Sequence, residues 1–518
     1  MSHQDQGLGQ EISLNHRSLR EAIYWLLSPQ LFREITFRKG ANWTPFLLVS
    51  TALLWAWGSS KNVTERFQQA RKIITKIFRL QDNLPSYQAF MKVLRKWTGQ
   101  LLLIVVPHFR SRMQEELPDY YQVAGFVVLA VDGSRVELPR TQSNQEQFSA
   151  GRGSQKKPKA SKPAGKKTSG STANPKRKRP PRTSAQKRQA ARNRTAKKQR
   201  AERKKAEQTK KQAAARKKRA LNDNPQMWLT MMWHVGSGLP WDWRRGPSDS
   251  SEREHLLSML EGLPAGSLVT ADAGFVGYES WKALIDSGRH LVIRVGANVR
   301  LLKGLGYVRR RKDIVYLWPD AAAKKKQPPL VLRLTQFQTT KQTVYLVTDI
   351  QDEKVLSDSQ LVEIYKLRWG VEVMFRSFKQ TFSQRKLRCH RAENAAVELD
   401  WLLTGLWAVC FLGQKKLLDA GEDIQRLSVA GVLRAIRQTM HEYKSQPDAD
   451  EDLWSLLTIS MIDNYERANK ASRDYPRKKK KQPPIGKPEI VDATAEQVDL
   501  ARQIKKDLKT AKQLATAM

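Results

Sequence analysis

Six consecutive apolar residues, Phe126-Val127-Val128-Leu129-Ala130-Val131, run directly into Asp132-Gly133-Ser134. A run of that length without polar alternation predicts a strand covered on both faces, which implies an α/β sheet flanked by helices. The pattern returns at Ser267-Leu268-Val269-Thr270-Ala271, entered through the turn-like Leu263-Pro264-Ala265-Gly266 and followed by Asp272-Ala273-Gly274-Phe275. Each run delivers a carboxylate at its end, and ligand sites of open α/β sheets lie at the carboxyl ends of strands. Asp132 and Asp272 are therefore expected to converge.

A third acid lies in an amphipathic stretch, Tyr365 through Phe382. Tyr365, Arg368, Glu372 and Lys379 fall at offsets 0, 3, 7 and 14, which on a regular helix span about 60° of its surface. Leu367, Val371, Met374 and Phe378 trace a core-facing row about 110° away. One helix should thus carry a buried face with a phenol, a guanidinium, a carboxylate and an amine along its margin. That set offers an acid for a metal flanked by cations for phosphates. Taken singly, each part has a plainer reading: Asp-Gly after an apolar strand is also a turn signal, and Glu372 between Arg368 and Arg376 is also an ion-pair ladder.

Together, the two strand-terminal aspartates and the Tyr-x2-Arg-x3-Glu-x6-Lys spacing resemble the DDE transposases of insertion-sequence family four, whose signature is that tetrad on the helix bearing the third acid. All four positions match. The resemblance covers roughly residues 121–150 and 222–415. It includes Asp132-Gly133-Ser134-Arg135 with Leu138-Pro139-Arg140-Thr141, Ala271-Asp272-Ala273-Gly274-Phe275-Val276-Gly277-Tyr278, and Tyr365-Lys366-Leu367-Arg368-Trp369-Gly370-Val371-Glu372. It implies an α/β fold with a ribonuclease-H-like mixed sheet flanked by helices, a β-rich insertion and an N-terminal helical domain.

The resemblance further implies that Asp132, Asp272 and Glu372 are the catalytic residues and hold two divalent cations, Mg²⁺ or Mn²⁺. Crowded carboxylates repel one another, and hard cations with oxygen ligands reverse that balance. One ion of such a pair activates water or a 3′-hydroxyl while the other stabilises the leaving oxygen. Tyr365, Arg368 and Lys379 would contact phosphates of double-stranded DNA near the element end; Arg suits bidentate contact and Lys supplies a point charge. Trp369, beside the signature arginine, occupies a position that relatives with DNA-hairpin intermediates use to stack a flipped base. Trp318 is a candidate for the other such tryptophan, with core packing as its ordinary alternative.

The implied activity is that of a transposase, cleaving DNA at insertion-element ends and transferring the 3′-hydroxyl to target DNA. The alternative is a ribonuclease-H-like endonuclease, or an inactive relic that binds DNA through basic surfaces. Pairing two ends calls for two active sites, so a homodimer on DNA is expected. Composition agrees: 92 Lys and Arg against 50 acids give a net charge of +42, the balance of a chain with a polyanionic partner. No membrane is expected, because the apolar runs Pro45 to Trp57 and Trp401 to Gly413 fall short of the roughly 20 residues a span needs and read as buried helices. The amino terminus lacks the pattern of a signal peptide, and Cys389 and Cys410 form no metal or redox motif. A reducing cytoplasm fits, with a bacterial, nucleoid-associated setting following from the resemblance.

The length predicts several units. Residues 1–116 read as helical, with Thr44-Pro45 a helix start and Tyr87, Phe90, Met91, Leu94 and Trp97 recurring at helical spacing. In relatives this unit recognises element ends, and Arg71, Lys72, Lys76, Arg79, Lys92, Arg95 and Lys96 offer cations; a dimerisation or scaffold unit is the other reading. The catalytic core comprises 121–150, 222–296 and 358–415, a β-rich insertion spans 297–357, and a helical, basic region spans 416–518. Residues 151–221 form a Lys/Arg-rich insert. Its first 70 positions carry 28 Lys or Arg against two acids, Glu202 and Glu207, and so hold 26 of the 42 net positive charges. Such composition predicts disorder giving way to a solvated helix, either a non-specific DNA arm or a tolerated insertion.

Trp228 to Val235, Gly236-Ser237-Gly238 and Leu239 to Arg245 read as a hairpin. Ser251 and Glu254 form a capping box, which gives Glu254 a structural role. Asp242, Glu252 and His255 end no apolar strand and rank low as catalytic groups. Cys389-His390 lacks partners for a zinc site.

Overall fold

Val128 enters a strand that continues past Asp132 as far as Glu137 (β1, Val128–Glu137), and a mixed sheet of ten strands is built around it. The computed structural model describes residues 18–38, 41–80, 84–149, 224–308, 313–339, 342–382, 385–445, 453–462 and 485–517. The basic insert 151–221 and the tract Arg477-Lys478-Lys479-Lys480-Lys481 lie outside them.

The remaining strands are β2 (Gln226–His234), β3 (Leu239–Gly246), β4 (Leu268–Ala271), β5 (His290–Val295), β6 (Arg300–Lys303), β7 (Ile314–Leu317), β8 (Leu330–Gln338), β9 (Thr343–Thr348) and β10 (Glu489–Asp492). Their order across the sheet is β10-β6-β7-β8-β9-β5-β4-β1-β2-β3. The hairpin is present, β2 pairing antiparallel with both β1 and β3. β1, β4 and β5 run parallel; β4 and the apolar residues Val128 to Val131 of β1 are buried, as is most of β5. The strands of segment 297–357 join this same sheet through β9, which pairs with β5.

One expectation is corrected. The first strand does not stop at Asp132, because its antiparallel partner β2 stays in register from His234 to Gln226 and carries β1 on to Glu137. What stops there is the parallel ladder to β4, which runs from Val128 opposite Leu268 to Val131 opposite Ala271. β10 has no counterpart in the sequence reading. Glu489-Ile490-Val491-Asp492 is too short and polar to announce a strand, and its conformation comes from parallel pairing along β6.

The helices are α1 (Leu19–Leu26), α2 (Pro45–Trp57), α3 (Val63–Ile77), α4 (Tyr87–Glu116), α5 (Gln142–Phe148), α6 (Glu252–Leu257), α7 (Tyr278–Asp286), α8 (Asp320–Lys324), α9 (Asp358–Leu367), α10 (Gly370–Arg376), α11 (Ala392–Asp419), α12 (Val429–Ser445), α13 (Leu453–Ser460) and α14 (Ala495–Ala517). α2 starts as expected: the Thr44 hydroxyl accepts the Leu47 amide at 3.2 Å, with Pro45 in the first turn. α11 is long and apolar enough to cross a membrane by length and composition, yet 94% of its apolar window is buried inside the protein. It lies against α2, α4 and β3. Gly405 permits that approach, since a Cβ there would stand 2.8 Å from the Ala56 Cβ, and its carbonyl accepts the Trp57 indole N–H at 2.9 Å.

The same junction holds a buried ion pair, Arg66 Nη2 to Glu398 Oε1 at 2.8 Å, with the guanidinium over the Trp55 ring. The other Glu398 oxygen accepts the amides of Arg388 and Cys389. Cys389 and Cys410 are buried free thiols, and His390 is exposed.

Candidate active site

Register brings the two aspartates together. Val131 and Ala271 are paired on neighbouring parallel strands, so Asp132 and Asp272, one residue further on each, leave the ladder side by side. Asp132 accepts its neighbour's amide, Gly133 N–H, at 2.8 Å. Asp272 begins a short 3₁₀ turn, Ala273–Phe275, and accepts the Gly274 amide at 2.8 Å. Each carboxylate is thus fixed by a backbone amide, that of Gly133 for Asp132 and that of Gly274 for Asp272.

Glu372 arrives from across the sheet on α10. The single straight helix expected from Tyr365 to Phe382 is three pieces: α9 ends at Leu367, α10 covers Gly370–Arg376, and a π-helical turn covers Ser377–Thr381. Between α9 and α10 the ladder tightens to three-residue spacing, with Val371 N–H to Arg368 O at 3.1 Å and Glu372 N–H to Trp369 O at 3.1 Å. Gly370 sits at this tight turn against Trp233; a Cβ there would run into the indole, whose Cζ3 would be 2.6 Å away. A tight turn followed by a wide one redirects the side chains, and π turns of this kind recur at functional sites.

The polar stripe is accordingly not an open margin. Tyr365 is buried, its ring edge-on to Phe337 at 6.4 Å. Arg368 is 8% exposed, stacked over the Tyr365 ring at 5.4 Å and 3.4 Å from Glu372 Oε1 through Nη2. Its Nε is buried without a hydrogen-bond partner among the described residues. Lys379, within the π turn, donates to Ser134 Oγ at 2.6 Å, two residues beyond Asp132. Trp369 is 49% exposed. Trp318 is core, 4% exposed, with its indole donating to Gln327 O at 2.9 Å.

The charges are coupled. Burial pushes the Asp132 carboxyl up to about 6, with Asp272 and Glu372 adding to the rise and the Gly133 amide and Arg368 opposing it. Burial also raises Glu372, helped by Asp272 and opposed by Arg368 and Arg376. Lys379 is lowered by burial and by Arg385. A cluster whose acids resist ionisation for want of counter-charge suits a hard cation with oxygen ligands. As the side chains stand, no three His, Cys, Asp or Glu among the described residues already form a metal cage. Arg368 holds one Glu372 oxygen.

The sequence reading ranked Glu252 low because it ends no apolar strand. α6 packs against β1, β2 and the 3₁₀ turn that follows β4, and a Cβ on Gly133 would collide with Glu252 Oε1 and lie 2.8 Å from its Cδ. A Cβ on Gly274 would lie 3.5 Å from Oε2. Burial raises the Glu252 carboxyl to about 7, with Asp132 and then Asp272 contributing and Arg253 opposing. Ranking acids by apolar strands cannot find one delivered by a helix, and the local sequence Ser251-Glu252-Arg253-Glu254 carries no other signal. The neighbouring candidates are structural. Asp242 pairs with Arg110 at 3.2 Å and Arg244 at 2.7 Å, the His255 ring bonds Thr230 Oγ1 at 2.8 Å, and the Ser251 hydroxyl accepts the Glu254 amide at 3.4 Å. Asp400, in α11, pairs with Arg245 at 2.9 Å and accepts the Trp243 indole N–H.

Of the N-terminal cations, Lys96 lies over the Trp97 ring at 5.0 Å, and three make hydrogen bonds within the fold. Arg71 donates to Leu84 O, Lys76 to Tyr443 O and Arg95 to Glu393. Lys72, Arg79 and Lys92 are exposed.

Comparison with known proteins places these residues in context. Residues 124–408, more than half of the chain, match the family described as Transposase DDE domain. The chain is 24% identical over 172 residues to the transposase InsG for insertion sequence element IS4 of Escherichia coli (strain K12), a stretch that covers 32% of this chain and 37% of that protein. Among solved structures, a cryo-EM structure of a piggyBac transposase synaptic complex with hairpin DNA aligns over 88% of each chain at 10% identity, with a TM-score of 0.39, a superposition too loose to argue from.

Proposed function

Because the chain belongs to the Transposase DDE domain family, we propose that it is a transposase of the insertion-sequence family four kind, cleaving double-stranded DNA at element ends and joining the freed 3′-hydroxyl to target DNA. The observation that carries this reading is the register of β1 and β4, which sets Asp132 beside Asp272, with Glu372 electrostatically coupled to both.

In this reading the central sheet is a ribonuclease-H-like core, and Asp132, Asp272 and Glu372 are the catalytic acids that hold divalent cations, Mg²⁺ or Mn²⁺. Such ions, when bound, supply Lewis acidity to the attacking and leaving oxygens. The remaining work falls to the chain. The Gly133 and Gly274 amides orient the two aspartates. Arg368 balances charge at Glu372 until a phosphate arrives, and its guanidinium suits contact with that phosphate. Lys379, now on Ser134, is the second phosphate contact, and Tyr365 braces Arg368 from below. Trp369 presents an indole face to a base beside the site. Exposed Lys72, Arg79 and Lys92 suit contact with element ends, and pairing of two ends calls for a homodimer on DNA.

Glu372→Gln tests the assignment. It is expected to abolish metal-dependent cleavage of a labelled duplex carrying an element end while leaving most duplex binding in a gel-shift assay. Cleavage at the unaltered rate would remove the site. Joining assays with pre-cleaved ends separate a transposase from an endonuclease on the same core.

A further inference from the structure

We propose that Glu252 is a fourth carboxylate of the catalytic centre, giving an oxygen to a cation held by Asp132 and Asp272. This deepens the reading above and rests on it. The geometry is specific. One Glu252 oxygen lies over Gly133, directly after Asp132, and the other lies toward Gly274, in the turn that Asp272 opens. The carboxylate therefore bridges from the middle of β1, beside Asp132, to the turn that Asp272 opens. Glycine at 133 is what leaves room for it: a methyl there would strike Oε1 and the Trp228 ring, whose Cζ2 would be 2.9 Å away.

No structural role explains this placement. Among the described residues Glu252 has neither a hydrogen bond nor an ion pair. Its neighbour Arg253 is instead turned to the Val276 carbonyl at 2.9 Å. A first-turn acid on a helix is favoured by the helix dipole by about 0.3–1 kcal/mol, but that benefit is available with the side chain in solvent. Folding an unpaired carboxylate inward against two others works against stability, which makes sense where a cation compensates. The hard-oxygen chemistry of the set suits Mg²⁺ or Mn²⁺, and carboxylates of this kind bind such ions through one or two oxygens each.

The test is Mn²⁺ binding to the metal-stripped full chain by isothermal titration calorimetry, for the unaltered protein, Glu252→Gln and Asp132→Asn, with thermal unfolding in EDTA as the check on folding. Glu252→Gln is expected to weaken Mn²⁺ at least about tenfold with an unchanged or raised midpoint in EDTA. Glu252→Asp, which keeps a shorter carboxylate, should fall between. Asp132→Asn that weakens Mn²⁺ while Glu252→Gln and Glu252→Asp match the unaltered chain overturns the role of Glu252 and leaves the three-acid reading standing. No Mn²⁺ uptake by the unaltered chain, or uptake indifferent to Asp132→Asn, overturns both.

Discussion

Individual residues show where close packing leaves no slack. Gly370 is the sharpest case, because the turn that swings Glu372 toward the aspartates passes directly against Trp233. Gly370→Ala is expected to displace the indole, costing about 1–3 kcal/mol and lowering cleavage through mispositioned Glu372. Urea unfolding with a duplex-cleavage assay would measure both, and an unchanged unfolding midpoint would refute the packing argument. That Asp132 and Asp272 stand side by side was legible in the sequence because apolar runs announce the two parallel strands whose ladder stops just before both acids. Glu252 was not, since only the tertiary return of α6 brings it there. Tyr365 and Arg368 were found by spacing, but spacing assumes a uniform helix, and burial of both follows from a turn no periodicity encodes.

At the scale of elements, the joints between helices and sheet carry separable stabilities. α3 is tied to α11 by the buried Arg66–Glu398 pair, in which Arg66 Nε and Nη1 have no hydrogen-bond partner among the described residues. Arg66→Ala leaves Glu398 buried with half its compensation, so a loss of about 3–5 kcal/mol is expected. Arg66→Met with Glu398→Gln should recover part of it, and a double variant no better than the single one would contradict this account.

The β2–β3 hairpin is anchored by His234, whose Nδ1 accepts the Ser237 amide at 3.1 Å and whose Nε2–H donates to Tyr121 O at 3.0 Å. Burial lowers its pKa from 6.5 to about 4, against the opposing Tyr121 carbonyl. The depressed value means the unfolded chain takes up a proton first. The stabilisation is complete above about pH 6.5 and is lost as pH falls toward 4, on the order of 3 kcal/mol in all. Chemical denaturation at pH 7 and 4.5 should show that His234→Gln has lost this part of the acid sensitivity; identical pH dependence in variant and parent would reject it. The hairpin itself was readable from its turn glycines, and segment 297–357 as β-rich, whereas β10 has too little apolar character to be seen apart from β6.

For the whole molecule, charge and sheet closure govern behaviour. Residues 151–221 hold most of the excess charge, so their deletion is expected to flatten the salt dependence of duplex binding, measured by anisotropy between about 50 and 200 mM salt, while sparing cleavage of tightly bound substrate. An unchanged slope would assign DNA affinity to the folded surfaces instead.

Strand order adds a consequence of its own. The strand nearest the carboxyl end, β10, completes the sheet at the edge remote from Asp132 by pairing with β6. During synthesis, then, the two aspartates and Glu372 leave the ribosome long before the lateral rim of the sheet is sealed. A nascent polypeptide released early, after residue 484 for example, keeps a row of unmet backbone groups along β6, an invitation to intermolecular strand exchange, and should precipitate under conditions where the complete product stays dispersed.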